Sequence, residues 1–236
     1  MNDDLDISTD AATVVEEHGA DGTLLLRSTM AAGVLHGPLE QFSATGQPTM
    51  TAHFEAGRLH GPLALYGADG VLVQRGAFCH GRPHGLMETF VHGRRIAAQT
   101  MTDGVANGQS LSFDEAGQLT ARLQLAAGQL DGPAAFFHEG RQVRAAGYRA
   151  GLLEGESLDY DSDGQVVQRC TYRANLLHGM VRRYWPDGAL MEETLYHDGV
   201  PVGAPTRFDA DGERLGQEQA PPPALFERLK QLVRGD

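Results

Sequence analysis

The sequence predicts an all-β chain: an elongated, single-layer antiparallel sheet of stacked β-hairpins, ending in a short C-terminal capping helix. Three observations predict it. A glycine recurs at Gly37, Gly61, Gly85, Gly108, Gly132, Gly155, Gly179 and Gly203, at a spacing of 23 or 24 residues. An aromatic follows it each time, at Phe42, Tyr66, Phe90, Phe113, Phe137, Tyr160, Tyr184 and Phe208. A further glycine then closes each unit, at Gly46, Gly70, Gly93, Gly117, Gly140, Gly164, Gly188 and Gly212. Self-similarity at this period marks a repeat array. Glycine at this density argues against helix, because each one costs about 1 kcal/mol in a helix interior.

Residues 1–17 are acidic, carry no repeat feature and read as a tail or loose cap. A half repeat follows, with His18 in the aromatic's place, Asp21-Gly22 as the turn and Thr23–Met30 as a lone returning strand. From Gly33 to Leu215 the eight units run without a linker, so residues 18–216 form the array. Leu63–Tyr66, Gly67–Gly70 and Val71–Cys79 show the grammar of each unit, which is strand, turn, strand. A four-residue connection ending in glycine suits a type I turn whose last residue takes positive φ. Asp69, Asp163, Asp187 and Asp211 precede that glycine. The units holding Gly93 and Gly140 have a turn one residue shorter and keep the frame on both sides. The Gly-x-x-x-Gly stretch, as in Gly57–Gly61, is expected to turn the chain back into the next hairpin.

A second aromatic set, Phe54, Phe78, Tyr148, Tyr172 and Tyr196, lies on the returning strands. Equivalent residues of successive hairpins lie roughly 10 Å apart, so the two aromatic rows are expected to interleave and fill one face. In residues 217–236, Pro221-Pro222-Pro223 stops strand pairing. Ala224–Arg234 then places Leu225, Phe226, Leu229, Leu232 and Val233 at helical spacing, as a cap for the last hairpin would.

The formal charge is -12 and Lys230 is the only lysine. Such a chain repels nucleic-acid phosphates and anionic lipid, so a protein with a basic surface is the better-matched partner. The N-terminus has no apolar run of the secretory kind, and no stretch approaches membrane-spanning length. Cys79 and Cys170 lie four repeats apart, on the order of 40 Å by strand spacing, too far to bridge. Two reduced thiols suit a cytoplasmic protein.

The units Gly57-Arg58-Leu59-His60-Gly61…Tyr66 and Gly81-Arg82-Pro83-His84-Gly85…Phe90 resemble MORN repeats, and more closely the bacterial MORN variant of the YwqK-type antitoxin family. The resemblance runs from about residue 18 to 214. Asn175 replaces the first glycine of its unit, and Trp185 sits beside the aromatic position instead of in the motif. The resemblance implies a hairpin-stacked sheet used for protein contacts, with no catalytic residues to carry over.

His36, His60, His84 and His178 recur before the second glycine, but equivalent positions about 10 Å apart cannot share one metal. Asn107, Asp131 and Glu154 take the same place, which suggests a small polar turn residue. Asp159, Asp161 and Asp163 match the start of a calcium loop, yet the twelfth position, which should be glutamate, is Cys170. No nucleophile elbow, phosphate loop, Cys-x-x-Cys or His-Glu-x-x-His is present, so neither an enzyme nor a cofactor is expected. Tyr172, Tyr184, Tyr196 and Trp185 gather beside Arg182 and Arg183. Residues of these types anchor protein interfaces, and these six are the expected partner-binding set. The sequence thus reads as a non-catalytic binding module of the antitoxin or immunity type, with a self-associating scaffold or membrane-apposed organiser as the alternative.

Overall fold

Backbone twist decides which turns can join two strands, and this chain uses two kinds. The computed structural model describes residues 12–216. One kind is a two-residue turn with both residues at positive φ, as at Ala56-Gly57 (47° and 76°) and Ala150-Gly151 (49° and 82°). That is the type I′ geometry, whose twist matches the strands it joins. The other kind is the expected four-residue connection. In Ser43–Gly46 the Gly46 N–H donates to the Ser43 carbonyl at 2.9 Å and the Ser43 N–H to the Gln47 carbonyl at 2.7 Å. The shortened units at Gly93 and Gly140 use the two-residue type instead, with His92 and Glu139 left-handed.

No helix occurs among the described residues. The chain divides into two units, Met1–Asn107 and Gly108–Asp236. The first holds β1 (Thr13–His18), β2 (Leu24–Ala31), β3 (Val34–Phe42), β4 (Pro48–Glu55), β5 (Arg58–Tyr66), β6 (Leu72–Cys79), β7 (Arg82–Pro83), β8 (Gly85–Val91) and β9 (Arg94–Thr102). β10 (Val105–Phe113) runs into the second unit. There follow β11 (Leu119–Ala126), β12 (Gln129–His138), β13 (Arg141–Arg149), β14 (Leu152–Tyr160), β15 (Val166–Arg173), β16 (Leu176–Leu177), β17 (Gly179–Tyr184), β18 (Leu190–His197), β19 (Val200–Pro201) and β20 (Thr206–Arg207). The strand pairs are antiparallel and join neighbours in sequence, except that β6, β15 and β18 also pair past the short β7, β16 and β19 with β8, β17 and β20.

Three expectations change. The strand expected to return alone is paired: β1 lies against β2 from Thr13↔Met30 to His18↔Leu24, so strand begins five residues before residue 18. The second glycine of Gly-x-x-x-Gly is not in the turn. It lies within the strand at a bulge, where five residues of one strand stand opposite three of the next, as Leu35–Leu39 do opposite Ser28–Met30. Gly37 there has φ 116°, and a Cβ on it would lie 3.0 Å from Thr29 Cβ. An L side chain meets both a backbone and a steric penalty at that point. The capping helix expected over Ala224–Arg234, like residues 1–11 of the tail, lies outside the described residues.

The third change concerns the core. The aromatic rows do not make its buried centre, for Phe42, Tyr66, Phe90, Phe113, Phe137, Tyr160, Tyr184 and Phe208 are all half-buried. A second bulge sits beside the aromatic in each hairpin, as between Gln41 and Phe42, and re-aims its side chain. Apart from Ala98, Met191, Glu88, Asp159 and Glu192, the buried residues lie two places after the in-strand glycine or opposite that place. They are Ser28, Leu39, Ala52 and Leu63 in the first unit, and Ala134, Ala146, Ser157, Cys170, Val181 and Thr194 in the second. Register runs them into one row within each unit.

Candidate protein-binding face

Two residues beyond the buried row of the second unit, on the same face, register sets Phe136, Arg144, Asp159, Gln168, Arg183, Glu192 and Arg207 on successive strands. From Arg144 onward their polar groups form a ladder. Arg144 Nε lies 3.2 Å from Asp159 Oδ1, and Gln168 Nε2 donates to Asp159 Oδ2 at 3.3 Å. Arg183 donates to Gln168 Oε1 and to Glu192 Oε1, both at 3.1 Å, and Arg207 Nε to Glu192 Oε2 at 2.9 Å. Asp159 is 4% exposed. Burial raises its carboxyl above the usual range, against the pull of the Arg144 guanidinium.

At the Phe136 end the face sinks into a groove of about 450 Å³, lined by Phe136, Val143, Arg144, Tyr148, Tyr160 and Val167 among others. Val143 reaches it because the β12–β13 register slips between Phe136 and Phe137, which leaves one extra residue on β13. Arg141, also at the groove, donates to the Ser162 carbonyl in the adjoining turn. Apolar walls with a few fixed polar groups are the make-up of a recognition pocket.

The six expected binding residues divide. Arg183, Tyr172 and Tyr196 share the ladder's face, whereas Arg182 pairs with Glu193 at 3.3 Å on the opposite face, beside Arg169. Tyr184 and Trp185 stand at the turn end of the hairpin, where the Trp185 N–H closes onto the Ala189 carbonyl. The Trp185 indole Nε1 is shielded without a hydrogen-bond partner. Sequence reasoning missed the groove itself. The doubled aromatic Phe136-Phe137 was the visible signal, but the slip that brings Val143 in has none.

The three acids of the calcium-like run have separate employments. Asp159 faces Arg144, Asp161 Oδ1 accepts the N–H groups of Asp163 and Gln165 at 2.9 Å each, and Asp163 is the donor of the first of these bonds. Asp209 holds its own turn in the same way. Asp69 and Asp187 cap their turns, accepting from the N–H groups of Val71 and Ala189.

The residue before the in-strand glycine also has a role that spacing does not show. It reaches the left-handed residue of the turn that leads into the next hairpin. Asp131 accepts the Ala150 N–H at 3.1 Å, Glu154 the Ala174 N–H at 3.0 Å, and His36 Nδ1 the Ala56 N–H at 3.4 Å. The position selects an acceptor that steadies a turn in the wrong hand for an L residue.

Comparison with known proteins agrees with this architecture. The family model described as MORN repeat variant matches residues 153–174 and 177–198. No curated protein matches the chain. Among solved structures, S. aureus TarM aligns at 13% identity over 40% of this chain and 19% of its own, with a TM-score of 0.29. The TcdB2–TccC3 structure aligns at 11% identity over 84% of this chain and 14% of its own, with a TM-score of 0.18. The chain spans less than a fifth of the length of either, and superpositions this slight bear on neither fold nor function. The two adjacent units between Leu153 and Asp198, which carry most of the polar ladder, are the ones that match the MORN repeat variant model.

Proposed function

We propose that the chain is a non-catalytic protein-binding repeat module of the antitoxin or immunity type, acting in the cytoplasm and neutralising a partner protein by direct contact. MORN repeats serve in general as interaction modules, and the match over residues 153–198 supports that much. The observation that carries the reading further is the groove at Phe136, Tyr148 and Tyr160, set on a scaffold whose turns and bulges repeat while its in-strand residues vary. Tyrosine and arginine give large contact area at modest entropic cost, as interface anchors do. The arginines of the ladder are already paired, so the charge left to steer a partner comes from the acidic excess behind the net charge of -12, which favours a basic surface.

The test is genetic and physical together. The adjacent gene is expressed alone and with this one, and its product is co-purified with the chain. The reading expects growth arrest relieved by co-expression, a stoichiometric complex, and loss of both when Tyr148 and Tyr160 are replaced by alanine. A harmless neighbour and no stoichiometric protein partner would overturn it.

One observation favours the scaffold reading. β1 has β2 as its sole neighbour among the described residues, and Val14 and Val15 on it are 60% and 41% exposed. An open strand of that kind is a template for pairing with another chain. Light scattering that shows concentration-dependent dimers, abolished by Val15→Pro, would establish it.

A further inference from the structure

His60 departs from the turn-steadying pattern. In its case the left-handed residue of the next turn is His80, at φ 49°, and the preceding residue is Cys79. Side chains meet there. The His60 and His80 rings stand edge to face with centroids 5.1 Å apart, and Cys79 Sγ lies 3.2 Å from His80 Nδ1. One donor atom from each of the three residues falls within 4.8 Å of the other two. Glu55 Oε2 lies 3.2 Å from His60 Nδ1, a nitrogen shielded from solvent and without a well-aligned hydrogen bond. The same three positions five repeats later hold His178, His197 and Asp198, which also converge within 4.8 Å. There the rings are 4.9 Å apart and His178 Nδ1 lies 3.1 Å from Asp198 Oδ1. Alanine serves as the left-handed residue at most of the equivalent turns. Only these two combine a histidine before the glycine with two further donor residues at the turn.

We propose that His60, Cys79 and His80 form a binding site for a borderline-soft divalent cation of the zinc class. The geometry that separates equivalent histidines by about two strand spacings is not what operates here, because the ligands come from two different repeat positions that the fold brings together across β5 and β6. Two imidazoles and a thiolate select zinc and its late transition-metal neighbours over calcium or magnesium, which take oxygen donors. Ligand atoms on one tetrahedral zinc lie roughly 3 to 4 Å apart, given bonds of about 2.0–2.3 Å, and the three donor atoms already lie within 4.8 Å of one another. Glu55 stands where an orienting carboxylate fixes the ring of a ligating histidine. Binding displaces the Cys79 proton to solvent, and three protein ligands leave one coordination position open. The ion would tie the turn that follows β6 to the start of β5, closing the open end of that hairpin.

Cobalt(II) titration of the full chain, purified without metal, reports the site directly. The proposal expects a near-ultraviolet thiolate-to-cobalt charge-transfer band that saturates at one equivalent and is bleached by zinc. The band should vanish in Cys79→Ser, weaken at least tenfold in affinity in His60→Ala, and persist in Cys170→Ser and His178→Ala. On the unaltered chain, which removes any concern about misfolded variants, one equivalent of zinc should protect Cys79 from maleimide. Absence of the band at millimolar cobalt, its survival in Cys79→Ser, its loss in His178→Ala, or unchanged labelling of Cys79 in zinc would each overturn the assignment.

Discussion

Two buried carboxylates, one in each unit, show how the same backbone plan carries opposite electrostatics. Glu88 in the first unit is 5% exposed and receives Arg75 Nε at 2.6 Å and Arg95 Nη1 at 2.9 Å. Those hydrogen bonds hold its carboxyl below the usual glutamate range. Asp159 in the second unit is as deeply placed, but burial dominates over its one guanidinium and the carboxyl is raised. The two hairpins share the bulge beside the aromatic but not the turn, which has two residues at His92-Gly93 and four at Asp161–Gly164. The bulge therefore survives a change both of turn and of what the strands carry. The strands are free to hold a satisfied ion pair in one place and a costly charge beside a groove in another.

The largest effect expected from breaking this comparison is steric. A Cβ at Gly147 would lie 2.4 Å from the Glu154 carbonyl oxygen, which belongs to backbone and cannot swing away. Gly147→Ala should cost about 3 kcal/mol in urea unfolding. A Cβ at Gly76 in the first unit would meet Met87 Sδ at 2.0 Å, the end of a flexible side chain. Gly76→Ala should cost only about 1 kcal/mol, and Met87→Ala should restore part of it. Equal losses at the two glycines would show that backbone strain, not the contact, sets the penalty.

The carboxylates come next. Glu88→Gln should cost about 2 kcal/mol at neutral pH, since it leaves two guanidiniums without their shared acceptor. Because the Glu88 pKa is depressed, its contribution is complete above the ordinary glutamate range and is lost as pH falls through the depressed value, so the variant's stability should fall less with acid. Asp159 has the opposite sign. Its charged form disfavours the folded chain above its raised pKa, and that cost is relieved as pH falls through it, so Asp159→Asn should gain about 1 kcal/mol at neutral pH. Denaturant midpoints measured across the acid range would reveal a shared sign, which would refute the contrast.

Smaller again is the relief of strain at the left-handed alanines. Ala56→Asn and Ala150→Asn should each raise stability by about 0.5 kcal/mol, because Asn-Gly suits the type I′ turn that Ala-Gly now forms. The thiols differ in rate more than in energy. Cys170 is 1% exposed and burial raises its pKa, so it should resist iodoacetamide in the folded chain, while half-buried Cys79 labels.

Much of the fold was legible because glycine and aspartate announce turns chemically. Gly46 and Gly70 sit in turns where their spacing placed them, and the Asp69 that precedes Gly70 is in that turn. What the sequence hid has a common cause. Alanine carries no mark of handedness, so Ala32, Ala56, Ala127, Ala150 and Ala174 gave no sign of positive φ. Without them, Gly37 and its equivalents looked like turn residues instead of bulge residues. The candidate sites were hidden for the same reason. Arg182 and Arg183 are adjacent in sequence yet face opposite sides, and His60 meets Cys79 and His80 only once the bulge and turn are in place. The small buried row has no such sign, because Ala146, Ser157 and Cys170 owe their burial to their place in the sheet and not to their own hydrophobicity.

The in-strand glycines have an evolutionary corollary. Each hairpin bonds to the strands just before and after it, through turns and bulges that recur in register. Excising the segment from Gly37 to the residue before Gly61 would leave matching splice ends, each meeting the kind of neighbour it already had. Recombination between such points can lengthen or shorten the chain by whole modules, so its reach can be adjusted without inventing a new core.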